Sequence, residues 1–272
     1  MEISAAMIKE VREKTGAGIV DCKQALTETN GDIAKAVEIL KKKGLAKASK
    51  KEGRTAVEGI VMVKTEGKKG LLFRLNCETD FVGKTPEFKA FAEKIMDLVF
   101  AKSYPSSDTL PEDVEQLRKE AIANFGENIL VAWKWIEAKG TLYPYVHLNK
   151  VASITDFGNL SDNAEVQDVA KKIAMQITSM NPICVSVDTL PADVRAEMQK
   201  TFEEEARATG KPEKVIENIV KGKFEKYYAE VVLMEQPFIF DEEKKVKDLF
   251  TELKKSTGVD LTVHQFIRLS LQ

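Results

Sequence analysis

The sequence predicts an α+β protein: an N-terminal three-helix module, then an α+β core that occurs twice, with an antiparallel helical hairpin inserted in the second copy. Three observations carry that expectation. Apolar residues in the first 44 positions recur at helical spacing, interrupted at short intervals by Gly-containing breaks. From about Val57 the pattern changes to strand-like runs separated by a turn-rich spacer. Finally, an apolar helical stripe and a heptapeptide both return in the second half of the chain.

In the first module, Ser4 is placed to cap a helix whose stripe is Met7, Ile8 and Val11, and Thr15-Gly16-Ala17-Gly18 breaks it. A second helix through "IVDCKQALTET" stops at Asn30-Gly31. A third begins near Asp32, with Ile33, Ala36, Val37 and Leu40 on one face and Gly44 as its expected left-handed end. The following "KKKGLAKASKKEGR", residues 41–54, reads as a basic linker or a solvated helical extension.

"VEGIVMVKT" and "GLLFRLNC" read as a hairpin across "EGKKG". Thr85-Pro86 opens a helix, threonine as N-cap and proline first in the helix, with Phe88, Phe91, Ala92, Ile95 and Val99 as its buried stripe. Val166, Val169, Ala170, Ile173 and Ile177 repeat that stripe at a constant offset of 78 residues. "DTLPEDV" at 108–114 returns as "DTLPADV" at 188–194, and "ETDF" at 78–81 answers "ITDF" at 154–157. Two helical runs then meet at Thr209-Gly210-Lys211-Pro212. Val194, Met198, Phe202 and Ala206 line one arm, and Val215, Ile219, Val220, Phe224 and Tyr227 the other. So short a turn requires antiparallel arms. "QPFIF" suggests an edge or strand-end position, and a helix at 244–255 and a strand-like "VHQFIRLSL" close the chain. The expected domains are 1–55, 56–140 and 141–272, the last containing the hairpin 188–230.

The 272 residues are 43% hydrophobic and 31% charged, with a net charge of −2. That balance argues against general nucleic-acid binding, which needs a basic excess. Three scattered cysteines, Cys22, Cys77 and Cys184, form neither a disulfide framework nor a CxxC site, which suits a reducing cytoplasm. The charged N-terminal helix is no secretory signal, and nothing approaches the ~20 apolar residues of a membrane span. The expectation is a cytoplasmic, soluble protein.

Enzyme motifs are missing. Gly83-Lys84-Thr85 resembles the end of a P-loop, but the glycine that motif needs at position 78 is Glu78. There is no HExxH, GxSxG or GxGxxG, and only His147 and His264 are available for imidazole chemistry. No metal and no cofactor is expected. Segment 41–54 could touch phosphates, but it lacks the interleaved aromatics of a single-strand binder. An isolated Thr-Asp-Phe reads as a strand-end loop whose Asp caps the next turn and whose Phe enters the core. At residues 79–81 two features pull the other way: Phe81 and Val82 are adjacent on a loop, and a hairpin and a capped helix flank them.

Together "TGAGIVDCKQAL", "NGDIAKAVEIL", "NCETDFV", "FGENI" at 125–129 and "QPF" at 236–238 resemble the translation elongation factor Ts family, nucleotide-exchange factors for elongation factor Tu. The resemblance spans nearly the whole chain. It implies a ubiquitin-associated-like N-terminal module, a duplicated core, and a partner, elongation factor Tu. Asp80 and Phe81, in the block Thr79–Val82, match the family's dipeptide that wedges between helices of the GTPase near its Mg²⁺ and phosphate site. By the same resemblance Ile19, Val20 and Lys23 are contacts of the N-terminal module, and Phe125, Gly126 and His147 are contacts of the core. The second Thr-Asp-Phe has no such role in the family. Many members continue past "FIR" into an acidic segment and a further helix. This chain reads "FIRLSLQ" there, a departure that bears on affinity rather than mechanism. The expected activity is exchange without covalent catalysis. The alternative is a coiled-coil scaffold or dimerisation protein, with a homodimer possible through the hairpin or core, and a third reading is an RNA-associated protein using 41–54.

Overall fold

The computed structural model describes residues 3–15, 17–49, 51 and 53–272, without the side chains of 41 and 44–49. Gly16, Lys50 and Glu52, which belong to the expected first break and the basic segment, lie outside the described residues. In chain order the elements are α1 (Ala5–Thr15), α2 (Ile19–Glu28), α3 (Ile33–Ser49), β1 (Glu58–Glu66), β2 (Lys69–Cys77), α4 (Asp80–Gly83), α5 (Pro86–Lys102), α6 (Glu112–Phe125) and β3 (Leu130–Glu137). Then follow β4 (Thr141–His147), β5 (Val151–Gly158), α7 (Ala164–Met180), α8 (Ala192–Arg207), α9 (Glu213–Val231), β6 (Pro237–Phe238), β7 (Asp241–Lys245), α10 (Val246–Thr257) and β8 (Thr262–Ser270). The strands form sheets in the orders β1-β2-β3, β4-β5-β8 and β6-β7. The fold is α+β. The chain divides into two compact units, Met1–Met62 with Phe73–Lys134 and Leu269–Gln272, and Val63–Leu72 with Trp135–Arg268.

In the first unit, α1, α2 and α3 pack around Val11, Cys22, Ala25, Leu26, Ala36 and Leu40. Ser4 Oγ accepts from the Met7 N–H at 3.3 Å, and Asp32 Oδ1 from the Lys35 N–H at 3.0 Å. Asn30 and Gly31 both take positive φ, 52° and 86°, and the Gly31 N–H returns to the Leu26 carbonyl at 2.8 Å. One expectation is corrected. Gly44 does not end α3, which runs on through it to Ser49. A mid-helix glycine costs only ~1 kcal/mol relative to alanine, and α3 lies along α6, so tertiary packing outweighs that cost.

α5 starts as the sequence predicts. Thr85 Oγ1 accepts from the Phe88 N–H at 3.2 Å and Pro86 is the first helical residue. Phe88, Ala92, Ile95 and Val99 are buried, and Phe91 is half-buried.

In the second unit α7 packs on β4 and β5, over a core of Phe157, Val166, Ala170, Ile173 and Ile177. Helices α5 and α7 hold the 78-residue offset to both ends. Thr85 and Asn163 are their N-caps, and Ser103 and Asn181, at φ 49° and 48°, are their left-handed C-caps. Pro111 and Pro191 likewise each precede the first residue of α6 and α8. β4 pairs antiparallel with β5, with Pro144 opposite Ile154, and as the outer strand of its sheet β4 tolerates a residue without an N–H.

Helices α8 and α9 form the expected antiparallel hairpin. Phe202 meets Phe224 edge-on at 5.1 Å, and Glu205–Lys223 and Arg207–Glu213 pair at 2.6 and 3.3 Å toward the tip. Two details differ from the sequence reading. Ile216, rather than Val215, faces the partner arm, and the last helix is α10, Val246–Thr257 instead of 244–255. Capping explains the latter: Asp248 Oδ2 accepts from the Lys245 N–H, so the helix begins after Lys245.

Candidate partner-binding site

Strand β2 runs through a largely buried stretch, Leu71 to Cys77, and ends there, the next two N–H groups, of Glu78 and Thr79, going to the Glu127 carboxylate. Thr79 keeps an extended backbone (φ −121°, ψ 151°) and caps the next residues, its Oγ1 accepting from the Val82 N–H at 3.4 Å. The residues expected on a loop, Asp80–Gly83, are therefore the single helical turn α4. Gly83 sits on the backbone of Gly59 in β1, where a Cβ would lie 3.1 Å from Gly59 Cα and 3.3 Å from Cys77 Sγ. A side chain there would need the β1 backbone or the turn to give by a few tenths of an ångström.

That turn presents Phe81 to solvent. It is 84% exposed, more than any other large hydrophobic side chain among the described residues. The alternative in which Phe81 folds into the core is therefore excluded. Asp80 beside it pairs with Lys84 one turn on, Oδ2 to Nζ 2.5 Å, a partner that raises the Lys84 pKa. Val82 is half-buried.

The turn is tied to the loop after α6. Glu127 Oε2 accepts from the N–H groups of Glu78 and Thr79 at 2.9 and 3.0 Å, and its Oε1 accepts from the Thr79 hydroxyl at 2.6 Å. In return Glu78 Oε1 accepts from the Asn128 N–H at 2.7 Å. Glu127 is absent from the sequence-derived site. The available signal was its place in "FGENI", directly after a helix-ending glycine. Gly126 does end α6, at φ 72°, and its carbonyl accepts from Lys51 Nζ.

Phe125 is half-buried, edge-on to Phe88 at 5.3 Å and Phe91 at 5.9 Å, so much of its ring stabilises the helix pair beneath the loop. Ile19 and Val20 lie in the first turn of α2, 57% and 78% exposed, and Lys23 is exposed one turn on. Residues 19, 20, 23, 79–82, 125 and 126 all belong to the first unit. His147 belongs to the second, at the exposed end of β4, with Nδ1 3.0 Å from the Tyr145 hydroxyl. The adjoining turn residue, Leu148, is 78% exposed at φ 50°.

The cysteine beside the turn is held as a neutral thiol. The Cys77 thiol donates to the Thr79 carbonyl at 3.1 Å, and burial, with Glu127 and Glu58 nearby, pushes its pKa up to about 12. A thiol in that state is not a nucleophile at neutral pH. Among the described residues no group of three or more His, Cys, Asp or Glu is placed to hold a metal ion. No helix among them is long and apolar enough to cross a membrane.

What the turn can do is bind by insertion: an exposed aromatic ring, an acid beside it, and a rigid support. The family model for Elongation factor TS matches residues 78–272, starting at Glu78 before this turn. Relatives named Elongation factor Ts align over nearly the whole chain. One from Aquifex aeolicus is 40% identical over 100% of this chain and 98% of its own length. One from Chlorobium phaeobacteroides is 39% identical over 99% of each, and one from Clostridium botulinum is 38% identical over 98% of this chain and 92% of its own.

Proposed function

The chain belongs to the elongation factor Ts family, and from that premise we propose that it is a guanine-nucleotide exchange factor for the GTPase elongation factor Tu. It binds the GDP-loaded partner, disturbs the Mg²⁺ and phosphate site, and releases GDP during translation elongation in the cytoplasm. The observation that carries the reading is Phe81, held 84% exposed on a supported helical turn with Asp80 at its side. An exposed aromatic ring on a supported turn is the kind of anchor that fills a pocket on a partner.

In P-loop GTPases, Mg²⁺ bridges phosphate oxygens while backbone amides cradle the diphosphate. A ring driven between two helices of such a domain shifts their packing in steps, because close-packed interiors do not deform smoothly. With its metal and loop displaced, the diphosphate loses the positive partners that offset its charge, and GDP leaves. The coupling is reciprocal: a factor that weakens GDP binding is itself weakened by nucleotide, so fresh GTP ejects it for another round. Each ~1.4 kcal/mol taken from the release barrier accelerates it about tenfold. No bond is made or broken in a substrate.

In this reading residues 1–55 dock on the GTPase domain through Ile19, Val20 and Lys23, and Phe125, Gly126 and His147 add contacts from the core. The coiled-coil scaffold reading loses its main support, since the hairpin's ring stripe is occupied by its own partner arm, Phe202 on Phe224 and Tyr227.

The test is release of a fluorescent GDP from elongation factor Tu with substoichiometric amounts of this protein. The wild-type chain is expected to drive multiple turnovers, and Asp80→Ala/Phe81→Ala to lose them. Acceleration that survives the double substitution would move the mechanism to the N-terminal module or His147. No acceleration by the wild type would overturn the function.

A further inference from the structure

We propose that Glu127 is the positioning residue of the Asp80-Phe81 turn: its carboxylate fixes the backbone before the turn and, through the Thr79 hydroxyl, the turn itself. The functional half of this inference rests on the exchange-factor reading above; the structural half stands without it.

A single four-residue helical turn has no stability of its own, because helix nucleation is unfavourable. Something outside it must hold it. Glu127 supplies three acceptor contacts to two successive residues, both N–H groups on Oε2 and the Thr79 O–H on Oε1. Because the Thr79 hydroxyl spends its hydrogen on Glu127, its lone pairs are left for the Val82 N–H. The chain of bonds therefore runs from Glu127 through Thr79 into the turn that bears Phe81. The Glu78 carboxylate returns the grip on the Asn128 N–H. Asn128 is buried and anchored by its own Nδ2 to the Arg54 carbonyl at 2.6 Å. Two segments about fifty residues apart thus exchange carboxylates across their backbones. A wedge held this way enters its pocket with its conformational entropy already spent, which favours the maximal rate of a step that depends on its orientation.

Three variants test this: Glu127→Ala, Glu127→Gln and Thr79→Val. Glutamine can rescue, since its carbonyl oxygen accepts from both amides while its NH₂ donates to a reoriented Thr79 hydroxyl. Thr79→Val keeps the amide contacts and cuts the relay to Val82. Two readouts are taken on the full chain: amide hydrogen exchange at Glu78, Thr79 and Val82, with Phe88–Val99 as the control for intact folding, and GDP release from the GTPase at saturating factor. Glu127→Ala is expected to speed exchange at all three amides, leave the control segment protected and lower maximal release about tenfold or more. Glu127→Gln should stay within about threefold of wild type, and Thr79→Val should fall between, with only Val82 deprotected. Unchanged amide protection in Glu127→Ala would overturn the clasp. Lost protection with an unchanged maximal rate would overturn its role in exchange. Should Glu127→Ala unfold throughout, the inference stands or falls on Thr79→Val: selective loss at Val82 with slower release supports it, and wild-type behaviour overturns it. If the wild-type chain accelerates no release, the exchange-factor reading fails, and the amide readout still decides whether Glu127 orders the turn.

Discussion

Thr79-Asp80-Phe81 and Thr155-Asp156-Phe157 share three residues and differ in every environment. In the first copy the strand has already ended: threonine caps a helical turn, aspartate meets solvent and Lys84, and the phenylalanine ring is 84% exposed. In the second copy the tripeptide lies inside β5, paired with Tyr143, Leu142 and Thr141 of β4, and all three residues are fully buried. Phe157 packs in the core against α7, with Tyr143 edge-on at 6.1 Å. Asp156 accepts from the N–H groups of Lys139 and Gly140 at 2.8 and 2.9 Å and from Gln265 Nε2 at 3.2 Å.

In both places a carboxylate grips two successive backbone N–H groups, yet the owner differs. At the second copy the tripeptide's own Asp156 does the gripping, and at the first an outside residue, Glu127, grips the tripeptide. The difference teaches that a duplicated motif is freed for binding when the chain around it supplies the scaffolding the motif would otherwise supply itself. Asp80 is left to the surface, and Phe81 with it.

Substitutions at matched positions should separate the copies. The largest contrast is in the rings: Phe157→Ala is expected to cost about 3–5 kcal/mol by urea unfolding through cavity formation. Phe81→Ala should change stability by less than about 0.5 kcal/mol while abolishing partner binding in the exchange assay. Comparable losses of stability at both would break the comparison. Next come the carboxylates. Asp156→Ala leaves two backbone donors at the half-buried Lys139-Gly140 turn without their acceptor and should cost about 1–3 kcal/mol, whereas Asp80→Ala removes a solvent-exposed pair and should leave the urea midpoint nearly unchanged.

The threonines should move in opposite directions. Thr79→Ala loses an N-cap and a bond to Glu127, a cost of about 1 kcal/mol. The Thr155 hydroxyl is buried with no hydrogen-bond partner among the described residues, so the near-isosteric Thr155→Val is expected to raise stability by up to about 1 kcal/mol. A destabilised Thr155→Val would show that the hydroxyl is satisfied after all. The smallest effect at neutral pH belongs to Cys77. Its thiol is raised in the folded state from 9.0 to about 12, so both states are protonated below pH ~9 and the group adds no pH dependence. Above that the unfolded chain ionises first, and stability should fall as pH rises toward 12. Cys77→Ala should flatten this part of an alkaline unfolding series, and an unchanged slope would assign it to other groups.

Much of this was legible in residues alone. The N-terminal helices, the Thr85-Pro86 helix start, its repeat at α7 and the antiparallel hairpin all follow from local signals: apolar period, caps, and a turn too short for anything but reversal. These depend on neighbours within a few positions, which is why Thr85 caps α5 as its sequence predicts and the apolar stripe of α5 recurs on α7. Where it slipped, at Gly44, Asp80–Gly83, Val215 and the start of α10, a tertiary contact or a cap chose between nearly equal local options.

The site divides along the same line. Residues and resemblance together pointed to Asp80 and Phe81, because a bare aromatic beside an acid before a capped helix is visible in one dimension. The sequence also showed that the tripeptide occurs twice. The tripeptide itself held nothing to say which copy would be strand and which a turn, since three identical residues carry identical propensities; only the flanking hairpin and Thr85-Pro86 helix start set the first copy apart. Tertiary structure decided that: one copy gained ladder partners on β4 and a helix to bury its ring, and the other met Glu127, some fifty residues away in the chain, whose carboxylate satisfies the backbone that a continuing strand would have paired.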